Sequence, residues 1–182
     1  DHQSGTDRIA EVAKDIDCDL VINVQGDEPL IPPELIDKII EHFERDNKLL
    51  CATAACVFND EKDVNSPDMV KVVVDKNWNA LYFSRAAIPY PAELDKGKLK
   101  QINSDWKGRL RHIGIYAFRK ETLMKFVELE PSPLEKLEHL EQLRLLENGI
   151  KIKVILTDYH PIAVDTPEDI KLVLKALTNE SK

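Results

Sequence analysis

Residues 20–29 read Leu20-Val21-Ile22-Asn23-Val24-Gln25-Gly26-Asp27-Glu28-Pro29. The run from Leu20 to Val24 is almost continuously apolar, the pattern of a strand covered on both faces in a parallel sheet. Gly26 and Pro29 then break it as a turn. Ligands of open α/β sheets sit beyond the carboxyl ends of strands, and Asp27 stands at such an end. A carboxylate there suits Mg²⁺, which takes a few carboxylates together with substrate phosphates, and it equally suits a capped turn before a helix. Upstream, Ser4-Gly5-Thr6 and Asp7-Arg8 read as a polar turn and a helix start. That helix is expected to run to about Lys14 with Ile9, Val12 and Ala13 on one face. Downstream, Pro32-Pro33 opens a helix carrying Leu35, Ile36, Ile39, Ile40 and Phe43 at helical spacing.

The rest of the chain extends this pattern. Leu50 to Phe58 reads as a strand. Val70–Val74 and Ala80–Phe83 flank the polar stretch Asp75-Lys76-Asn77-Trp78-Asn79 as a β-hairpin. Residues 89–111 are the least regular stretch, with the character of a mobile loop. His112–Phe118 is a strand, followed by a helix from Lys120 to about Leu129. Leu134–Glu147 reads as one continuous helix stopped by Asn148-Gly149, and Lys151–Thr157 as a strand. Thr166-Pro167-Glu168-Asp169 starts the last helix, with Thr as cap and Pro at the first helical position. Strands and helices alternate at both ends around a hairpin and a long loop. The fold class is therefore α/β, with a mainly parallel sheet and an antiparallel insertion.

Several residue groups could carry chemistry. Asp165 follows the apolar Ile162-Ala163-Val164 and precedes the Thr166 cap, so it reads as a second candidate carboxylate or as one more acid facing a helix dipole. On the strand His112-Ile113-Gly114-Ile115-Tyr116, the imidazole, the bare backbone and the phenol share one face while the isoleucines share the other. Such a face fits either a floor under a polyhydroxy ligand or a half-exposed edge strand. Glu138, Glu141 and Gln142 fall on the polar side of the leucine-bearing helix, where charge is ordinarily a solvated face. Ser84-Arg85 closes a strand, and Arg8 follows a helix start that can bind an anion.

Composition bounds the partners. The 182 residues suffice for one sizeable core, and 43% hydrophobic with 32% charged residues is ordinary for a globular protein. A net charge of −8 without a basic stripe argues against a nucleic-acid partner. No apolar run is long enough to span a bilayer and no signal peptide opens the sequence, so no membrane partner and a cytoplasmic location are expected. Cys18, Cys51 and Cys56 lack metal or redox spacing, and Cys51 and Cys56 read as core residues.

Taken in order, seven blocks resemble the 3-deoxy-D-manno-octulosonate (Kdo) cytidylyltransferase family. They are Asp1-His2-Gln3-Ser4-Gly5-Thr6-Asp7-Arg8, Val24–Pro29, Ala80-Leu81-Tyr82-Phe83-Ser84-Arg85, His112–Tyr116, Pro131-Ser132-Pro133-Leu134-Glu135, Leu140-Glu141-Gln142-Leu143-Arg144 and Val164–Asp169. The resemblance implies a Rossmann-like nucleotidyltransferase and the Mg²⁺-dependent transfer of CMP from CTP to Kdo. The products would be CMP-Kdo, a lipopolysaccharide precursor, and pyrophosphate. It implies that Asp27 and Asp165 hold Mg²⁺, and that Ser4, Gly5 and Gln25 lie near the cytidine. Arg8, Ser84, Arg85, His112, Tyr116, Glu141 and Gln142 would line the sugar-acid pocket.

It further implies one nucleotidyltransferase-like domain over residues 1–182 and an inserted hairpin and loop region over roughly 76–118. Dimerisation around the inserted strands would make the protein a homodimer. In the family a phosphate-cradling loop precedes the part matched here. No G-x-x-x-x-G-K run in this sequence replaces it, and the domain is expected to be N-terminally incomplete. The alternatives are a cytidylyltransferase for 8-amino-Kdo or another acidic sugar, and a non-catalytic fragment that binds sugar acid or a partner chain.

Overall fold

The computed structural model describes residues 5–26, 28–90, 109–162, 164 and 167–179. In chain order these form α1 (Gly5–Lys14), β1 (Leu20–Val24), α2 (Pro33–Arg45), β2 (Cys51–Val57), α3 (Glu61–Val64), β3 (Lys71–Val74) and β4 (Ala80–Ser84). They continue with β5 (Leu110–Arg119), α4 (Lys120–Glu128), α5 (Pro133–Glu138), α6 (Leu143–Glu147), β6 (Ile152–Leu156) and α7 (Pro167–Asn179). The expected loop of residues 89–111 falls largely on 91–108, and the cap Thr166 also lies outside the described residues.

The sheet is organised by β5. Along one edge it pairs antiparallel with β2, from Cys51↔Phe118 to Val57↔Leu110. Its other edge is shared in series by β1, opposite Ile115–Arg119, and by β3, opposite Leu110–Arg111. β6 adds parallel to β2, and β4 adds antiparallel to β3. Thus β1, β2, β3 and β6 point one way, and β5 runs against them through the middle. The expectation that β1 is a doubly covered strand inside a parallel pair does not hold. Its described partner is antiparallel β5, and only Asn23 of its residues is buried.

Alternation along the strands divides the interior into two layers. Tyr116 and Phe118 face one side, with Ala10 and Ala13 of α1, Leu123 and Phe126 of α4, and Leu143 and Leu145 of α6. Ile113, Ile115 and Ala117 face the other, with Leu35, Ile39 and Phe43 of α2. On α1 the buried residues are Thr6, Ala10 and Ala13, whereas Val12, expected on the inner face, is 60% exposed. The hairpin turn folds back to β6, where the Val154 N–H donates to the Trp78 carbonyl at 2.7 Å and Lys153 Nζ to that of Asn77 at 2.7 Å.

The end of β5 ties both layers together. Arg119 Nη2 donates to the Phe43 carbonyl at 2.7 Å near the end of α2, and its guanidinium lies over the Phe43 ring. Lys120 Nζ donates to the Ile16 carbonyl at 2.5 Å just past α1. Adjacent residues thus point to opposite faces and each satisfies carbonyls that a helix end leaves unpaired. Cys51 and Cys56 are buried among these core residues, and burial pushes both thiols up, Cys56 to about 11.

The expected continuous helix Leu134–Glu147 is interrupted. Ser132 and Glu135 form a reciprocal capping box that starts α5, and His139 ends it in the left-handed region at φ 53°. A turn follows, and α6 begins again at Leu143. With the helix broken, Leu137 is 78% exposed while Gln142 is 4% exposed.

Candidate active site

β1 ends where β5 changes register. The β2–β5 ladder passes from Thr53↔Tyr116 to Ala54↔Ile113, leaving Gly114 and Ile115 without partners on β2 as a β-bulge. The Thr53 hydroxyl fills the bulge, donating to the Ile115 carbonyl at 2.7 Å. Gln25, one residue past β1, lies over it. A Cβ built on Gly114 would sit 3.5 Å from Gln25 Cγ, and one on Gly5 3.1 Å from Gln25 Oε1. The approach is tight at Gly5, whereas a Cβ at Gly114 would make only ordinary van der Waals contact with the Gln25 side chain. Gly5 and Gln25, read separately from the sequence as nucleotide-proximal, are in contact. Ser4 lies outside the described residues.

On the same face a row of rings runs from Phe83 through His112 and Tyr116 to Phe118, with neighbouring centroids 5.0, 5.4 and 6.0 Å apart. β5 is paired on both edges, so the edge-strand reading of this strand does not hold. Burial lowers the His112 pKa to about 3, and the ring is neutral at ordinary pH. His112 Nε2 lies 2.9 Å from Thr53 Oγ1, whose own proton is given to Ile115. Hydrogen-bond accounting therefore puts the ring proton on Nε2 and leaves Nδ1 as an acceptor. Burial, then the charge of Glu141, raises the Tyr116 pKa, so its phenol stays protonated.

The turn between α5 and α6 brings the acids. Thr6 Oγ1 donates to Glu141 Oε1 at 2.5 Å, and Asn23 Nδ2 to Thr6 Oγ1 at 3.3 Å. Glu141 Oε2 is buried with no hydrogen-bond partner among the described residues. Thr6, Tyr116, Glu141 and Gln142 line one small cavity with Phe118, Phe126 and Leu145. Glu138 is not the solvated residue expected from the helical pattern. Its carboxylate accepts from Ser84 Oγ at 2.7 Å, from Tyr82 OH at 3.3 Å and from the Arg85 N–H at 2.9 Å. Burial alone would raise its pKa, but these hydrogen bonds outweigh that and hold the carboxyl below its usual range.

The structure thus brings together Gly5, Gln25, His112, Tyr116, Glu141 and Gln142, while Ser84 and Arg85 are held by Glu138. Arg8 is exposed on α1, off the Thr6–Ala10–Ala13 face, with no hydrogen bond or ion pair among the described residues. Asp27 and Asp165 lie outside the described residues. Thr6, Asn23 and Thr53 were missed by residue-type reasoning, which places Glu138 on a solvated face. Asn23 and Thr53 had left one signal, a lone polar side chain inside an apolar strand.

A family model described as Cytidylyltransferase matches residues 1–152. The 3-deoxy-manno-octulosonate cytidylyltransferase of Chloroherpeton thalassium is 52% identical over 183 residues, covering 99% of this chain and 70% of that protein. The enzyme of the same name from Geotalea daltonii is 45% identical, over 97% of this chain and 70% of its own. A solved structure of CMP:2-keto-3-deoxy-manno-octonic acid synthetase complexed with CTP superposes with a TM-score of 0.87 at 37% identity. It covers 99% of this chain and 70% of that one. A 4-diphosphocytidyl-2C-methyl-D-erythritol synthase from Anaerococcus prevotii, 18% identical with a TM-score of 0.57, shares the fold. With an α/β sheet of that architecture and relatives this similar across nearly its whole length, the chain belongs to the cytidylyltransferases, within the 3-deoxy-manno-octulosonate cytidylyltransferase family of enzymes.

Proposed function

We propose that this chain serves the Mg²⁺-dependent transfer of CMP from CTP to Kdo, with release of pyrophosphate, in the supply of activated Kdo for lipopolysaccharide. The observation that carries the reading is Glu141 Oε2. It is a buried carboxylate oxygen with no hydrogen-bond partner among the described residues, beside a neutral phenol and a buried amide. Leaving such an oxygen unsatisfied costs about 1–3 kcal/mol or more, and a sugar hydroxyl would remove that cost. Glu141 is then an acceptor that orients the sugar. Neutral His112 and Tyr116 add hydrogen bonds to its hydroxyls, and Arg85 faces its carboxylate. Gln25, fixed between Gly5 and Gly114, is the side chain placed for the cytosine edge, with Ser4 and Gly5 alongside.

Asp27 and Asp165 would hold the metal. Two carboxylates are the hard oxygen donors that Mg²⁺ prefers, and the donor set fits. When bound, the ion supplies charge neutralisation at the α-phosphate and at the attacking hydroxyl. The same reading makes the protein a cytoplasmic homodimer, with the contact formed around the inserted strands of roughly residues 76–118. No described helix is long and apolar enough to cross a membrane.

The test is pyrophosphate release from CTP and Kdo with and without Mg²⁺, with 8-amino-Kdo as competitor. Asp27→Asn is expected to lower turnover by about a thousandfold or more while leaving the far-UV spectrum and melting temperature close to wild type. Near-wild-type turnover of that variant at saturating Mg²⁺ would refute the metal role. Calorimetry that finds Kdo binding but no CTP binding would favour the non-catalytic alternative.

A further inference from the structure

We propose that Glu138 is a positioning residue that aims Arg85 at the carboxylate of an acidic sugar, an inference that rests on the sugar-acid reading above. Glu138 is the last residue of α5, and Ser84-Arg85 closes β4. Because His139 turns into the left-handed region, the Glu138 carbonyl is released from helical pairing, and Arg85 Nε donates to it at 2.9 Å. Arg85 Nη1 donates to the Pro67 carbonyl at 2.9 Å. Two of the three guanidinium nitrogens are thus fixed on backbone, and among the described residues Nη2 has no hydrogen-bond partner. The Glu138 carboxylate holds the same arginine from the other side, through its backbone N–H and the preceding Ser84 hydroxyl.

The second cation beside Glu138 has other work. Lys71, fully buried and opposite Ser84 in the β3–β4 ladder, donates to the carbonyls of Ser66, Met69 and Arg85 at 2.8, 2.7 and 2.5 Å. Lys71 and Arg85 are the cations beside Glu138, and Asp68 as well as Glu138 acts on the buried Lys71. The Arg85 guanidinium edge left open is thus the group that suits the carboxylate of an acidic sugar. Tyr82, Ser84 and the Arg85 N–H take up three of the roughly four acceptor positions of the Glu138 carboxylate.

The test is calorimetric binding of Kdo and of Kdo methyl ester to the wild type and to Glu138→Gln, which keeps the size of the side chain and removes its charge. The wild type should prefer the acid. Glu138→Gln should bind the acid about tenfold more weakly and the ester unchanged, because only the acid uses a correctly aimed guanidinium. Glu138→Asp, which keeps the charge and shortens the reach, should lose the preference likewise. Equal weakening toward acid and ester would mark Glu138 as merely structural and overturn the proposal, as would unchanged acid binding. A wild type that binds neither compound, or both equally, would sink the sugar-acid reading itself.

Discussion

His112 shows how burial keeps a single side chain uncharged. Its pKa in the folded protein, about 3, lies below the ordinary value of 6.5, so the unfolded chain binds the proton more readily. The stabilisation is complete above pH about 6.5 and is lost as pH falls toward 3, by up to about 1.4 kcal/mol per unit. Glutamine at this position can still donate to Thr53, and His112→Gln should flatten that part of the acid slope. Urea midpoints at pH 7, 6 and 5 for both proteins are the measurement, and parallel slopes would show that the ring is not the source. At this scale the sequence was informative about residue type. The alternation of His112, Gly114 and Tyr116 against Ile113 and Ile115 was visible in the one-dimensional pattern and holds in the two layers. The seat of Gln25 was not visible, because it depends on a bulge whose register is set by the Thr53 hydroxyl on another strand.

At the scale of the element, the instructive case is the broken helix. Leucines at positions 134, 137, 140, 143, 145 and 146 suggest one amphipathic rod, but no local signal marks His139 as a left-handed residue. Tertiary bonds enforce the break. Glu135 is claimed by Arg144 through Nη2–Oε1 at 2.5 Å and Nε–Oε2 at 2.8 Å, which folds α5 and α6 against each other. Arg144 also stacks 4.5 Å from the Phe126 ring centroid, joining both helices to α4. Side-chain exposures of 6% and 12% make this a buried pair, and removing one partner strands the other. Arg144→Ala should therefore cost about 3–5 kcal/mol by denaturant unfolding. A loss below about 1 kcal/mol would mean that the two helices are held by their leucines alone.

For the molecule as a whole, the α/β class was legible from the alternation of element types, whereas strand pairing was not. A run as apolar as Leu20–Val24 reads as the interior of a parallel sheet, yet long-range pairing placed an opposing strand beside it. β5 carries that arrangement, since it alone is bonded along both edges by three other strands. Its amides from Ile113 to Phe118 should be among the slowest to exchange with solvent, by about a hundredfold over those of β4. Hydrogen exchange followed residue by residue checks this, and similar rates in the two strands would contradict it. The dipeptide Arg119-Lys120 sets a further condition on how the protein comes apart. Each cation clasps the tail of a helix on a different side of the sheet, so neither tail is free to melt privately. Loosening at that one corner would be felt above and below at once, like a single pin drawn from two hinges.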